Sequence, residues 1–119
     1  MLVGGDFIKN EIIIFEEENI KLEVSMQDET VWLTQAQLSE LFKKSKKTIS
    51  EHIGNIFKSR ELEKTLVVRE FRTTANDGKE YRTKFYNLDM IISIGYRVNS
   101  RRGIIFRRWA ASVLKEYLL

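Results

Sequence analysis

The chain has 119 residues, enough for one domain with its own core, and its 43% apolar and 11% aromatic content describes a folded protein, not a disordered tail. It contains no cysteine, which excludes disulfides, thiol nucleophiles and thiolate metal sites, and its single imidazole, His52, argues against a typical zinc site. The net charge of +3 hides a gradient: residues 1–33 hold two basic and eight acidic side chains, residues 34–66 seven and four, and residues 67–119 eleven and five. An acidic start and a basic remainder suit a polyanion bound on one face; a solvated surface with segregated charge has the same signature. No apolar run approaches the roughly 20 residues of a membrane span, and the start lacks a signal-peptide pattern. A soluble cytoplasmic protein with no membrane partner is expected.

Residues 1–33 read as a β-hairpin lead-in. Met1–Asn10, with Gly4-Gly5, is a loose start. Glu11–Glu16 is short and β-branched, Glu17-Glu18-Asn19 reads as a turn, and Ile20–Met26 alternates apolar and polar residues with the period of a half-buried strand. Gln27-Asp28-Glu29 then turns into a short strand at Val31–Leu33. This acidic sheet is expected to cover the core side of the helices that follow.

Residues 34–58 carry two amphipathic repeats. In the first, Leu38, Leu41 and Phe42 form one helical stripe, with Thr34 as N-cap and Gln37 placed for a capping box. In the second, Ile49, Ile53, Ile56 and Phe57 recur at i, i+4, i+7 and i+8, with Ser45 as cap. Lys43-Lys44-Ser45 leaves a turn of about three residues, the length of a helix-turn-helix corner. With the isoleucines inward, Lys46, Lys47, Ser50, Glu51, Gly54 and Lys58 face out, a face suited to a DNA major groove. Glu51 would be repelled by phosphate unless it accepts from a cytosine amino group. An ordinary α-hairpin with a wet charged face fits the same spacing.

Lys58–Lys64 is a polar connector with room for one helical turn. Leu66–Thr74 and Glu80–Tyr86 are strand-like, and Ala75–Lys79 between them has an Asn-Asp-Gly core suited to a hairpin turn. This hairpin, over 66–86, carries Arg69, Arg72, Lys79, Arg82 and Lys84. Its position directly after paired helices is that of a wing, whose basic side chains would meet phosphates or the minor groove; a structural hairpin with a charged outer face reads equally well. Residues 88–118 form a helix pair: Asn87 caps a nearly all-apolar helix over Leu88–Tyr96, Asn99-Ser100 makes a corner, and Ser100 caps a helix over Arg101–Leu118. Phe106, Trp109, Ala110, Val113, Leu114 and Tyr117 gather on one side of the last helix; Arg101, Arg108, Ser112 and Lys115 gather on the other. The ending on Leu118-Leu119, without cap or polar tail, suggests a fragment of something longer.

No GxGxxG, P-loop, GxSxG or HExxH occurs. Glu51 and His52 are neighbours on a helix, about 100° apart, and cannot easily share a substrate atom. No catalytic role, metal or cofactor is expected.

VWLTQAQLSELF, KTISEHIGNIF and FYNLDMIISIGYRVNSRRGIIFRRWAASVLKEYL closely resemble the N-terminal half of the RhuM family of bacterial virulence-associated proteins, from about Val31 to the end. More loosely, the order β-hairpin, VWL, paired helices and FRRWAASVL looks like the Bro-N domain of phage antirepressors and large DNA viruses. The resemblance implies DNA binding or phage-type regulation, and a C-terminal region beyond this chain. Lys43 and Lys44 depart from the Gly-Val that relatives often show at the corner, which bears on how tightly the paired helices pack.

Together these readings predict an α+β domain with a helix-turn-helix, winged-helix-like core, an N-terminal β-hairpin, a second β-hairpin and two C-terminal helices. It is expected to bind double-stranded DNA as a transcriptional or phage-type regulator. Lys46, Lys47, Ser50, Glu51 and Gly54 would line the major groove, flanked by the cap Ser45. Lys43, Lys44, Lys58, Arg72, Lys79, Arg82, Lys84, Arg101 and Arg102 would sit on phosphates. Tight specific binding would need a homodimer or the C-terminal region. The rival reading is an antirepressor-like module that meets an acidic protein without touching DNA.

Overall fold

The computed structural model describes residues 11–117; the lead-in Met1–Asn10 and the expected last helical residue Leu118 lie outside the described residues. Three strands come first, β1 (Glu11–Glu17), β2 (Ile20–Gln27) and β3 (Thr30–Thr34). Two-residue turns join them, with Glu18, Asn19, Asp28 and Glu29 all at positive φ. That left-handed pair closes a hairpin with the twist of its strands. Here it is formed without glycine.

Helices α1 (Gln35–Phe42) and α2 (Lys46–Lys58) follow, then one helical turn, α3 (Lys64–Val67). Strands β4 (Val68–Thr74) and β5 (Glu80–Asn87) form the second hairpin, and α4 (Leu88–Arg97) and α5 (Arg101–Tyr117) complete the described chain. The strand expected from Leu66 therefore begins at Val68. Leu66 and Val67 close the helical turn instead, because Val67 must turn into the core while Leu66 stays 67% exposed. Tertiary packing overrides the β-propensity of the Leu-Val-Val run.

The two hairpins are not separate. β3 pairs with β2 on one side and with β5 on the other, giving one antiparallel sheet in the order β1-β2-β3-β5-β4. The paired helices are thus an insertion between neighbouring strands. One face of the sheet, with Phe15, Leu22, Val24, Val31 and Leu33, packs against Leu38 and Leu41 of α1, Ile49 and Ile56 of α2, Ile91 and Ile94 of α4, and Phe106 of α5. Each such side chain contributes roughly 1.5–3 kcal/mol by leaving water. Trp32 lies between Val31 and Leu33 in β3, so it points to the opposite face, where it clusters with Phe71 and Phe85 beneath the Arg69 guanidinium. Arg69 also bridges to Asp28, which ties β4 to the β2–β3 turn.

Candidate nucleic-acid interface

The corner between α1 and α2 is fixed by local bonds. Thr34 accepts from the Gln37 N–H at 3.1 Å while Gln37 Oε1 accepts from the Thr34 N–H at 2.9 Å, a complete capping box. Gln37 also donates to the Glu23 carbonyl at 2.7 Å, which seats α1 on β2. At the far end Lys43 takes the left-handed conformation (φ 53°, ψ 48°), the conformation for which helix ends prefer glycine. Ser39 holds this turn. Its carbonyl accepts from Lys43 and Lys44, and its hydroxyl donates to the Lys44 carbonyl. Ser45 then caps α2 by accepting from the Thr48 N–H at 3.1 Å.

In α2 the side chains divide as the periodicity demands. Ile49, Ile53 and Ile56 are buried and Phe57 is partly buried, while Lys46, Lys47, Ser50, Glu51, Gly54 and Lys58 are exposed. Asn55, which periodicity alone gave no reason to single out, is exposed with them. Lys43, Lys44 and Ser45 are exposed at the corner.

The second hairpin extends past the sheet. β3 reaches only Phe85, Tyr86 and Asn87 of β5, so Glu80–Lys84 and the facing part of β4 form a two-stranded ribbon. Its loop is closed by the Gly78 N–H to the Ala75 carbonyl at 2.9 Å, with Gly78 at φ 82°. Arg72, Lys79, Arg82 and Lys84 are all exposed along it. Arg72 lies directly across from Arg82, with Glu80 and Glu70 at 4.0 and 3.9 Å from the two guanidinium groups.

A groove lined by Thr34, Gln35, Ala36, Glu70, Arg82 and Lys84 runs between the start of α1 and this ribbon. Gln35 in its wall donates to the Lys46 carbonyl at 2.9 Å, so the first turn of α2 adjoins the same groove. The contact joins residues eleven apart through an uncharged side chain that carries no motif, and sequence reasoning missed it.

The α5 arginines behave differently from each other. Arg101 is exposed. Arg102 is partly buried, donates to the Glu18 carbonyl at 3.4 Å and has its Nη1 buried without a partner. It belongs to the contact between α5 and the β1–β2 turn, not to the ribbon or the corner. Among the described residues, no group of three or more His, Asp or Glu side chains could hold a metal ion, and no helix is long and apolar enough to cross a membrane.

These features define an α+β domain that presents a lysine-bearing helix and an arginine-bearing ribbon, with a groove between the ribbon and the start of α1. Residues 66–119 match the Virulence protein RhuM family, which supports that resemblance over the ribbon and the helix pair. The paired helices lie outside the matched stretch, and no match supports the likeness to Bro-N. No curated protein and no solved structure matches the chain.

Proposed function

We propose that the chain binds double-stranded DNA through a helix-turn-helix formed by α1 and α2, with the β4–β5 ribbon as its wing, and that it serves as a transcriptional or phage-type regulator. The observation that carries this reading is the position of Gln35, which lines the groove opposite Arg82 and Lys84 and bonds the first turn of α2. One electrostatic feature supports it. Lys46 and Lys47 occupy the first turn of α2, which has no acidic residue, and positive charge is unfavourable at that end of a helix. A polyanion laid against that turn relieves it.

In this reading Lys46, Lys47, Ser50, Glu51 and Gly54 enter the major groove, where Lys46 and Lys47 reach its phosphate walls, while Lys43, Lys44, Lys58, Arg72, Lys79, Arg82, Lys84 and Arg101 hold phosphates outside it. No catalytic step is assigned. Fluorescence anisotropy on random-sequence duplex tests the proposal. At about 50 mM salt the wild type should bind with Kd of order 10⁻⁶–10⁻⁴ M. Lys46→Ala/Lys47→Ala and Arg82→Ala/Lys84→Ala should each flatten the slope of log K against log salt by about 2, near 0.9 per phosphate contact. Arg107→Ala/Arg108→Ala, on α5, should leave the slope unchanged. No binding by the wild type up to sub-millimolar protein would overturn the proposal in favour of an acidic protein partner.

A further inference from the structure

Gly54 stands in the middle of the exposed face of α2, between Lys47 and Lys58. A mid-helix glycine weakens a helix relative to alanine, and nothing among the described residues calls for one here. A Cβ at this position would meet no atom within 4 Å. Its backbone is ordinary helix; Gly78 is the one glycine at positive φ among the described residues. The contrast with Gly95 and Gly103 is direct, since a Cβ on either would press on the other's backbone at 3.3 or 3.2 Å. The reason for the missing side chain therefore lies outside the chain.

We infer that Gly54 sets the depth at which α2 sits in the major groove, and that this depth is what lets Ser50 and Glu51 discriminate between bases. The inference rests on the duplex-binding reading above. Lys47 and Lys58 are separated by eleven residues, about 16 Å along the helix axis, and can reach the two phosphate walls of a groove about 12 Å wide. Between them, one turn from Ser50, the bare backbone of Gly54 lets base-pair edges come into contact. Hydrogen bonds between those edges and the Ser50 hydroxyl, or into the Glu51 carboxylate from a base amino group, need separations of about 3 Å. A side chain at 54 lifts the helix beyond that range. Attraction between lysine and phosphate falls off more gently with distance, so sequence preference is lost while general affinity for DNA persists.

The test begins by enriching a preferred duplex from a random pool with the wild type. Affinities for the enriched and a scrambled duplex are then measured at fixed salt for wild type, Gly54→Ala and Gly54→Leu, alongside thermal unfolding. Gly54→Ala should melt about 4 °C higher than the wild type, since only helix propensity changes. Gly54→Leu should bind the enriched duplex at least tenfold more weakly, with less than about a threefold change on the scrambled one, while remaining folded. Retained preference in Gly54→Leu, or an equal loss on both duplexes, would overturn the inference and leave the DNA reading standing. A lowered melting point for Gly54→Ala would overturn it as well, by showing that the fold itself requires the glycine. Failure of the wild type to enrich or bind any duplex would instead sink the underlying reading.

Discussion

Helices α4 and α5 cross at a point where neither has a side chain, and this crossing gives a sharp prediction about how the paired helices are held. A methyl on Gly103 would lie 3.2 Å from the Gly95 Cα and 3.5 Å from Phe42 Cε1; one on Gly95 would lie 3.3 Å from the Gly103 Cα and 3.5 Å from the same ring atom. The nearest atom in each case is backbone, so relief requires the helices to part. Phe42, the last residue of α1, is 3% exposed and cannot simply swing away. Overpacking a filled site costs about 1–3 kcal/mol. Replacing a helical glycine by alanine returns up to about 1 kcal/mol through lost backbone freedom in the unfolded chain. The steric effect wins, and Gly95→Ala or Gly103→Ala should each destabilise by about 1–2 kcal/mol. For a chain of this size that is a fall in Tm of about 4–8 °C. Both methyls would wedge the same contact, so the double variant should lose less than the sum of the singles, with a coupling of about 0.5 kcal/mol or more. Thermal unfolding followed by circular dichroism, run as a double-mutant cycle, measures all three quantities. Single variants as stable as the wild type, or strictly additive losses, would refute the close crossing. The opposite sign expected for Gly54→Ala makes the comparison internal: the same substitution stabilises in open space and destabilises at a backbone contact.

Three further outcomes follow from the corner, the caps and one ion pair. Lys43→Gly should raise stability in urea by a few tenths to about 1 kcal/mol, since a left-handed residue with a Cβ costs about 1–2 kcal/mol and glycine's unfolded-state freedom takes back part of that; duplex affinity should nevertheless drop, because a cation is lost. Thr34→Ala should cost about 1 kcal/mol in the same assay, with Thr34→Ser recovering most of it. Glu61 is held below the usual carboxylate range, chiefly by the Arg97 hydrogen bond and next by Ser93, against slight desolvation and with Arg97's charge assisting. A value depressed by folding contributes stability above the unfolded value, and that contribution is lost as pH falls through the folded one. The urea midpoint of the wild type should therefore drop more between about pH 6 and about pH 3 than that of Glu61→Gln, by a small margin because both partners are solvent-exposed. Equal drops would remove Glu61 from the account of acid sensitivity.

What could be read from the sequence was whatever is decided within one or two turns of chain. The capping box of Thr34 and Gln37, the caps at Ser45 and Asn87, and the inward isoleucines of α2 are all local, and each stands where periodicity and hydrogen-bonding chemistry put it. The joining of two hairpins into one sheet was not legible, because it depends on Thr34 pairing with Phe85 across an inserted helix pair, and strand periodicity has no term for a partner fifty residues away. The contact of Arg102 with the Glu18 carbonyl was hidden for the same reason: an arginine beside a helix start looks like any other cation until the fold brings a carbonyl to it. The Lys43-Lys44 corner is the instructive middle case. The absence of glycine there left the packing of the paired helices open, and Ser39 supplies the bonds that hold the turn, from a position four residues upstream that no corner pattern includes.

The same division explains why charge alone did not define the candidate interface. Fifteen residues are cation-bearing or groove-facing on periodicity and position, and composition and spacing offer no means of ranking them. The fold ranks them by neighbourhood. Arg82 and Lys84 share a groove with Gln35, and through it adjoin Lys46, whereas Arg102 is committed to an internal contact. A basic surface becomes a reader of one particular shape only when its elements are held in place, and here a 2.9 Å hydrogen bond from an uncharged side chain facing the ribbon across the groove holds the first turn of α2 to the start of α1. Gln35→Ala should therefore leave every cation in place and still weaken duplex binding. The loss should grow with the order of the duplex, larger on a preferred sequence than on a scrambled one, since only the former demands that helix and ribbon be engaged together. Equal affinity of Gln35→Ala and wild type for a preferred duplex would mean that the two elements bind independently, and that the shared groove is incidental to recognition.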